Sequence, residues 1–217
     1  MLSKDKICYW YSKYNESLGK DNILESSILS CIDTIKTQRD FKDLVLNSDC
    51  GILKWKLALR TKNYYHSLDN SDKWINLFNI TCRSINTPKE TVKEIRTFAK
   101  TNMYYKRKNE VIFKGGISYP VASTLVYFFS KGNCPIIDWR AVCALKENGY
   151  DKQLKKIDLY KNKMTGAYQI FLEDDGWDEY YDLCKKIVLD LEIKSINKDT
   201  ALRVLDKALW AYPDIEK

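Results

Sequence analysis

The sequence predicts an all-α fold, and two features of the chain lead to that prediction. Apolar residues in 22–35, such as Leu24 and Ile28, recur with a helical period and do not alternate as in a strand. The run Thr-Pro-Lys-Glu at 87–90 has the form of a capping box with proline in the first turn of a helix. No repeat or low-complexity linker interrupts the chain, so 1–217 is expected to form a single compact helical unit.

The helices are placed by their start and stop signals. Asp40 is expected to cap a short helix that ends at Leu46, and Gly51 is expected to open the next one. Pro213 is expected to end the last helix. The predicted helices are 22–35, 40–46, 52–60, 88–104, 119–131, 138–149, 164–173, 177–192 and 198–212.

The composition excludes several classes of protein. Hydrophobic residues make up 45% of the chain and charged residues 30%, a balance typical of globular and not of disordered proteins. The apolar run 121–129 is less than half as long as a membrane-spanning helix, so no membrane association is expected.

Cysteine and histidine usage indicates neither disulfides nor metals. The seven cysteines are scattered, with no Cys-x-x-Cys pair and no signal peptide, which predicts reduced thiols in a cytoplasmic protein. His66 is the only histidine and cannot build a Cys/His zinc site with its neighbours in sequence. No metal ion is therefore expected.

The charge and the aromatic content suit a nucleic-acid partner. The formal charge is +7, and the chain carries 15 tyrosines and 6 tryptophans. Phosphates attract a basic surface, and exposed rings can stack on bases. A composition rich in lysine and asparagine is also typical of AT-rich genomes, so this signal leaves both explanations open.

A glycine turn, an apolar helix and an acidic residue follow one another in the middle of the chain. Gly115 and Gly116 allow a tight turn, and the amides at the start of the next helix can bind an anion such as phosphate. Residues 119–131 are apolar on nearly every side, so that helix is expected to be buried. Asp138 is then placed at the N-cap of the following helix.

This arrangement resembles the helix-hairpin-helix DNA glycosylase superfamily. Members share a hairpin of the form LPGVGxxTA, a buried helix, and an aspartate that opens the next helix. The hairpin here reads KGGISYPVA over 114–122, and Asp138 lies eighteen residues after Pro120, the family's distance from the lysine position to the aspartate. The resemblance implies a two-lobed helical glycosylase fold with a cleft between the lobes.

The resemblance makes 87–150 the helix-hairpin-helix core, with 1–86 and 151–217 as flanking helices. Pro120 stands where bifunctional members carry the lysine that forms a Schiff base with the sugar, and proline has no amine. The family likeness therefore implies a monofunctional enzyme, which hydrolyses the N-glycosidic bond of a flipped damaged or modified base and leaves an abasic site. Cys184 is the only cysteine in the last seventy residues, so the iron–sulphur loop of some relatives is absent and the resemblance implies no cofactor.

The resemblance also implies roles for individual residues. Asp138 is the expected catalytic carboxylate, which stabilises positive charge on the deoxyribose and orients the attacking water. The hairpin departs from the family at 114–115, at Ser118 in place of glycine and at Val121 in place of threonine. The expected DNA-backbone contacts, from the hairpin and nearby basic residues, are Gly115, Gly116, Ser118, Tyr119, Lys106, Arg107, Lys108 and Arg140. The expected base-pocket or stacking residues are Trp139, Tyr104, Tyr105 and Trp55.

Simpler roles are open for several of these residues. Asp138 can serve only as a helix cap, each aromatic residue can pack in the core, and Arg140 can pair with an internal acid. Near the C-terminus, Arg203 and Asp206 are expected to form a local ion pair that orients their helix.

The sequence leaves three hypotheses for the function. The resemblance favours a monomeric enzyme acting on double-stranded DNA, in DNA repair or in antiviral defence against hypermodified bacteriophage DNA. The alternatives are a non-catalytic helix-hairpin-helix DNA-binding protein and an all-α interaction protein whose hairpin match is accidental.

Overall fold

The structure is a computed structural model that describes residues 2–57, 71–102, 104–107, 110–114, 117–161, 168–173 and 175–215. Most of this part of the chain is helical, so the helical class is confirmed in its broad form. Two antiparallel ribbons of two strands each accompany the helices, and the all-α prediction did not include them.

The described residues form ten α-helices and four β-strands. The helices are α1 Lys4–Ser17, α2 Gly19–Cys31, α3 Gln38–Leu46, α4 Ile52–Leu57, α5 Ser71–Cys82, α6 Pro88–Asn102, α7 Tyr119–Phe129, α8 Trp139–Leu145, α9 Gly176–Asp190 and α10 Ala201–Ile215. The strands are β1 Tyr104–Arg107, β2 Glu110–Lys114, β3 Ile157–Lys161 and β4 Tyr168–Leu172.

The chain divides into two compact units. The terminal unit combines Met1–Gly19 with Gly132–Lys217, and the central unit is Lys20–Lys131. The segment 87–150, expected to act as one core, therefore contributes to both units. Its hairpin belongs to the central unit and Asp138 belongs to the terminal unit.

Helix α7 forms the interior of the central unit. Every residue of Val121–Phe129 is buried, which confirms the prediction of a buried helix after the hairpin. The phenol of Tyr127 donates a hydrogen bond to the carboxylate of Glu25, a side chain that is only 2% exposed. A buried polar group without a partner destabilises the folded state. Separating α2 from α7 would leave both groups unpaired, so this bond holds the two helices together. Phe41 of α3 adds an edge-to-face contact with Phe129, with ring centroids 5.4 Å apart.

The terminal unit is organised by the packing of α1 on α10. Trp10 and Tyr212 place their ring centroids 4.8 Å apart, and Tyr14 and Trp210 place theirs 5.6 Å apart, both in edge-on geometry. The first and last helices of the chain thus close the unit together. Helix α10 also packs against α8 and α9.

A buried set of charges lies on the inner side of α10. Arg203 and Asp206 form an ion pair, both almost fully buried, which confirms the predicted local pair. The Nζ of Lys207 lies 2.7 Å from Oδ2 of Asp199, and the hydroxyl of Tyr11 donates to the same oxygen at 2.8 Å. Burial and then the bond to Asp199 raise the pKa of Tyr11 to about 12, so this phenol remains a donor.

The predicted helix 164–173 is wrong in its described part. Residues 168–172 form β4, which pairs with β3 in an unbroken antiparallel register from Ile157 opposite Leu172 to Lys161 opposite Tyr168. Aromatic and β-branched side chains favour a strand once a partner is available, and that pairing is not visible in a local pattern. Residues 164–167 lie outside the described residues.

Three helix ends also differ from their predictions. Thr37, and not Asp40, is the N-cap of α3, and Asp40 completes a capping box by accepting the N–H of Thr37. Helix α8 ends at Leu145, before the predicted 149, and the turn Lys146–Tyr150 that follows leaves helical geometry at Asn148 and at Gly149, whose φ is 94°. Helix α10 runs past Pro213 to Ile215, so proline, which has no N–H to donate to the carbonyl four residues earlier, does not end the helix as predicted.

Gly176 provides a test of how tightly the terminal unit is packed. A Cβ at this buried first residue of α9 would lie 2.6 Å from the carbonyl oxygen of Lys156, closer than two such atoms can approach. Gly176→Ala is therefore expected to lower the free energy of unfolding by about 1–3 kcal/mol, measured by urea denaturation. Gly19→Ala, at the first residue of α2 with no atom within 4 Å of its Cβ, is the matched control. An equal loss in both variants would contradict the packing assignment.

The cysteines divide into two classes of expected reactivity. Burial raises the pKa of the Cys134 thiol and of the Cys184 thiol well above the ordinary value, and buried thiols react slowly. Maleimide at neutral pH, followed by intact-mass measurement, should modify four thiols quickly and three only on unfolding. Rapid modification of all seven would contradict the described core. The exposed thiols are those of Cys8, Cys31, Cys50 and Cys82, and the buried ones are those of Cys134, Cys143 and Cys184.

Candidate functional site

Asp138 stands at the start of α8, where a buried segment reaches the helix. Residues 134–137 are buried, and the hydroxyl of Tyr180 donates to the carbonyl of Ile136 at 3.0 Å. Asp138 has extended backbone angles, φ −142° and ψ 154°, and its Oδ1 accepts the N–H of Arg140 at 3.1 Å. The predicted N-cap position of Asp138 is confirmed, with its side chain half-buried.

Tyr180 is the buried support beneath this segment. Burial raises the pKa of Tyr180 well above its ordinary value, and the acidic groups of Cys184, Asp206 and Asp138 raise it further. The phenol therefore stays protonated and keeps its bond to Ile136. Asp138 also lies close enough to Tyr180 for the two to interact electrostatically.

Aromatic rings and cations lie in contact next to Asp138. The ring of Trp139 stacks on that of Tyr168, with centroids 4.8 Å apart and planes 18° apart. The guanidinium carbon of Arg140 lies 5.1 Å from the centroid of Trp139 and 4.3 Å from that of Trp210. The Nζ of Lys161 lies 5.4 Å from the centroid of Tyr168. We call these five side chains the aromatic–cation stack.

The stack joins four elements of the terminal unit. Trp139 and Arg140 come from α8, Lys161 from β3, Tyr168 from β4 and Trp210 from α10. Trp139 and Arg140 were expected near the site, whereas Lys161, Tyr168 and Trp210 were not. Tyr168 was missed because its segment was assigned to a helix.

The hairpin residues that the structure describes lie in the central unit. Ser118 is exposed at the N-cap of α7, and its side chain makes no capping bond there. Tyr119 is half-buried, and the guanidinium carbon of Arg96 lies 5.1 Å from the centroid of its ring. Arg96 also donates to the carbonyl of Ile117, so α6 holds the start of α7 through one arginine that sequence reasoning missed. Gly115 and Gly116 lie outside the described residues.

The basic run before the hairpin falls on the first ribbon. Tyr104, Tyr105, Lys106 and Arg107 form β1, which pairs with β2 from Tyr104 opposite Lys114 to Arg107 opposite Glu110. A bulge separates Tyr105 from Lys106. The predicted contact Lys108 lies outside the described residues.

Trp55 lies on α4 of the central unit and is half-buried against α7. Its ring lies 5.3 Å from that of Phe128 and 6.4 Å from that of Tyr127, between centroids. Its Nε1 donates to the carbonyl of Asp21 at 3.3 Å. These contacts give Trp55 a packing role. Trp55 belongs to the central unit, whereas Asp138 belongs to the terminal unit.

No three side chains of histidine, cysteine, aspartate or glutamate in the described ranges form a group that could hold a metal ion. Within the same ranges, every helix is too short or too polar to span a bilayer.

Comparison with known proteins adds no relative. No protein-family model, curated protein or solved structure matches this chain. The function of this chain is therefore inferred from its residues and their geometry.

The cap at Asp138 yields a stability prediction. Asparagine can accept the Arg140 amide in the same way, so Asp138→Asn should leave the urea midpoint nearly unchanged. Asp138→Ala removes the acceptor and should cost about 0.5–2 kcal/mol of the free energy of unfolding. If both variants lost stability equally, the hydrogen bond would not be what holds the start of α8.

Proposed function

We propose that the protein is a monofunctional DNA glycosylase, which hydrolyses the N-glycosidic bond of a flipped damaged or modified base. The observation that carries the proposal is the half-buried carboxylate of Asp138, held by a backbone amide at the end of a buried segment. Its distance in sequence from the hairpin and the family resemblance of that hairpin support the same function. Aromatic side chains beside the carboxylate are suitable neighbours for a nucleotide.

The chemistry follows from charge development during bond cleavage. As the bond between C1′ and the base nitrogen breaks, the electron pair leaves with the base and positive charge builds on the deoxyribose. An ionised Asp138 stabilises that charge and accepts a proton from the water whose oxygen attacks C1′. The departing base takes up a proton, and the products are the free base and an abasic site.

Pro120 supports the monofunctional form of this chemistry. It lies in the first turn of α7, where a side chain without an amine cannot form a Schiff base with the sugar. The proposed enzyme therefore leaves the DNA strand intact after the base is released.

Backbone binding is assigned to the hairpin and the ribbon before it. Ser118 and Tyr119 begin α7, where amides can meet phosphate, and Lys106 and Arg107 stand on β1. The formal charge of +7 supplies a general attraction to DNA. Repair of damaged bases and defence against hypermodified bacteriophage DNA both use this reaction.

One observation favours a second candidate, a DNA-binding protein of the same kind without catalysis. The carboxylate of Asp138 already has a structural use as the cap of α8. A cap of this kind does not require chemistry, so a direct assay must separate the two functions.

The assay is base release from a panel of damaged, mismatched and hypermodified DNA duplexes, with the released base identified by mass spectrometry. Asp138→Asn should reduce release by about 10²–10⁴-fold while DNA affinity is retained, because the amide keeps the cap but loses the charge. Asp40→Asn is the matched control, since Asp40 also accepts a backbone amide at a helix start. A fully active Asp138→Asn variant would overturn the mechanism.

The state of the DNA after the reaction distinguishes a monofunctional enzyme from a Schiff-base enzyme and from a non-catalytic binding protein. Borohydride should trap no covalent complex, and strands should break only when abasic sites are cleaved with alkali. Covalent trapping would contradict the role given to Pro120. DNA binding by the wild type without base release from any duplex would favour the non-catalytic candidate.

A further inference from the structure

The side chain of Arg140 is held by two tryptophans. Its guanidinium carbon lies 4.3 Å from the ring centroid of Trp210 and 5.1 Å from that of Trp139, and all three side chains are half-buried. These are cation–π contacts, and such contacts are stronger where water is partly excluded. Trp210 is itself supported by the edge-on contact with Tyr14 of α1.

The backbone of Arg140 holds the proposed catalytic group. Its N–H donates to Oδ1 of Asp138 at 3.1 Å, so one residue connects the carboxylate to the stack. Helix α8 has only seven residues, and so short a helix depends on packing for its position. Any movement of Arg140 relative to α10 therefore moves the carboxylate of Asp138 as well.

We infer that Arg140 is a positioning residue for Asp138, with Trp210 as the support against which its guanidinium is fixed. The inference rests on the proposed function, and it differs from the sequence-based expectation that Arg140 contacts DNA phosphate. A planar guanidinium stacks on an indole in a way that an ammonium does not, so the role requires arginine and not simply a cation.

The test compares Arg140→Lys, Arg140→Met and Trp210→Leu in single-turnover base release and in DNA binding. A displacement of about 1 Å in a catalytic group can cost about 10²-fold in rate. All three variants should lose about 10–10²-fold in the single-turnover rate, with less than about a threefold change in Kd. Arg140→Met combined with Trp210→Leu should be no slower than the worse single variant, because both changes remove one contact.

A phosphate contact predicts a different pattern. Arg140→Met would then weaken DNA binding and lower the slope of log K against log salt by about 1, whereas Arg140→Lys and Trp210→Leu would act nearly like wild type. That result would overturn the inference. Trp210→Phe, which retains an aromatic face, should recover most of the rate lost in Trp210→Leu.

Trp10→Leu controls for general loosening of the α1–α10 contact. Trp10 is fully buried and packs on Tyr212, but it is not part of the stack. Its substitution should lower stability at least as much as Trp210→Leu without the same loss of rate. Equal rate losses in the two variants would contradict a specific role for Trp210.

Hydrogen exchange separates failure of this inference from failure of the proposed function. The Arg140 amide should exchange at least about tenfold faster in Trp210→Leu than in wild type and in Trp10→Leu. If wild type releases no base from any duplex but the exchange pattern holds, the function fails and the contact stands. If wild type is active and neither exchange nor rate depends on Trp210, the inference fails and the function stands.

Discussion

The hydrogen bond from the Arg140 amide to the Asp138 carboxylate is the interaction on which the account depends. The first amides of any helix have no partner within the helix, and at α8 the side chain of Asp138 supplies one. The same bond fixes the direction of a half-buried carboxylate at the end of a buried segment. A structural requirement of the helix therefore holds a reactive group in place.

Other residues of the terminal unit hold the N-terminus of α8 from several sides. Tyr180 fixes Ile136 just before the cap, and Trp210 contacts Arg140 just after it. Helix α10, which carries Trp210, is in turn held by α1 and by its buried charges. Buried ion pairs contribute little net stability, but breaking one leaves an uncompensated charge, so they favour one packing of α10. Helices α1 and α10 thus contribute to the position of Asp138, a residue far from both in sequence.

The sequence allowed the local features to be predicted, and the long-range ones less so. The buried helix α7 and the N-cap at Asp138 follow from an apolar run and a capping residue, both local signals. Helix α1 was not predicted, although Ile7, Trp10 and Tyr14 recur with a helical period and could have revealed it. Strand β4 could not be found in that way, because its partner β3 lies across a connection and decides its conformation.

The residues of the candidate site also divide into those that local sequence signals reveal and those that only long-range contacts bring together. Asp138, Trp139 and Arg140 are consecutive in sequence, so one motif located all three. Tyr168 and Trp210 reach them from distant parts of the chain, and only the folded terminal unit brings them together. Arg96, which holds the start of α7, was likewise missed because its partner Ile117 lies beyond the ribbon.

The central claim is that an ionised carboxylate stands beside a sugar that becomes positively charged. Its most direct test is the affinity for DNA that carries a cationic pyrrolidine in place of the deoxyribose, compared with DNA that carries neutral tetrahydrofuran. Transition-state analogues bind more tightly than ground-state mimics. The account predicts that wild type prefers the cationic analogue and that Asp138→Asn loses the preference. Equal affinity of wild type for both analogues would contradict it.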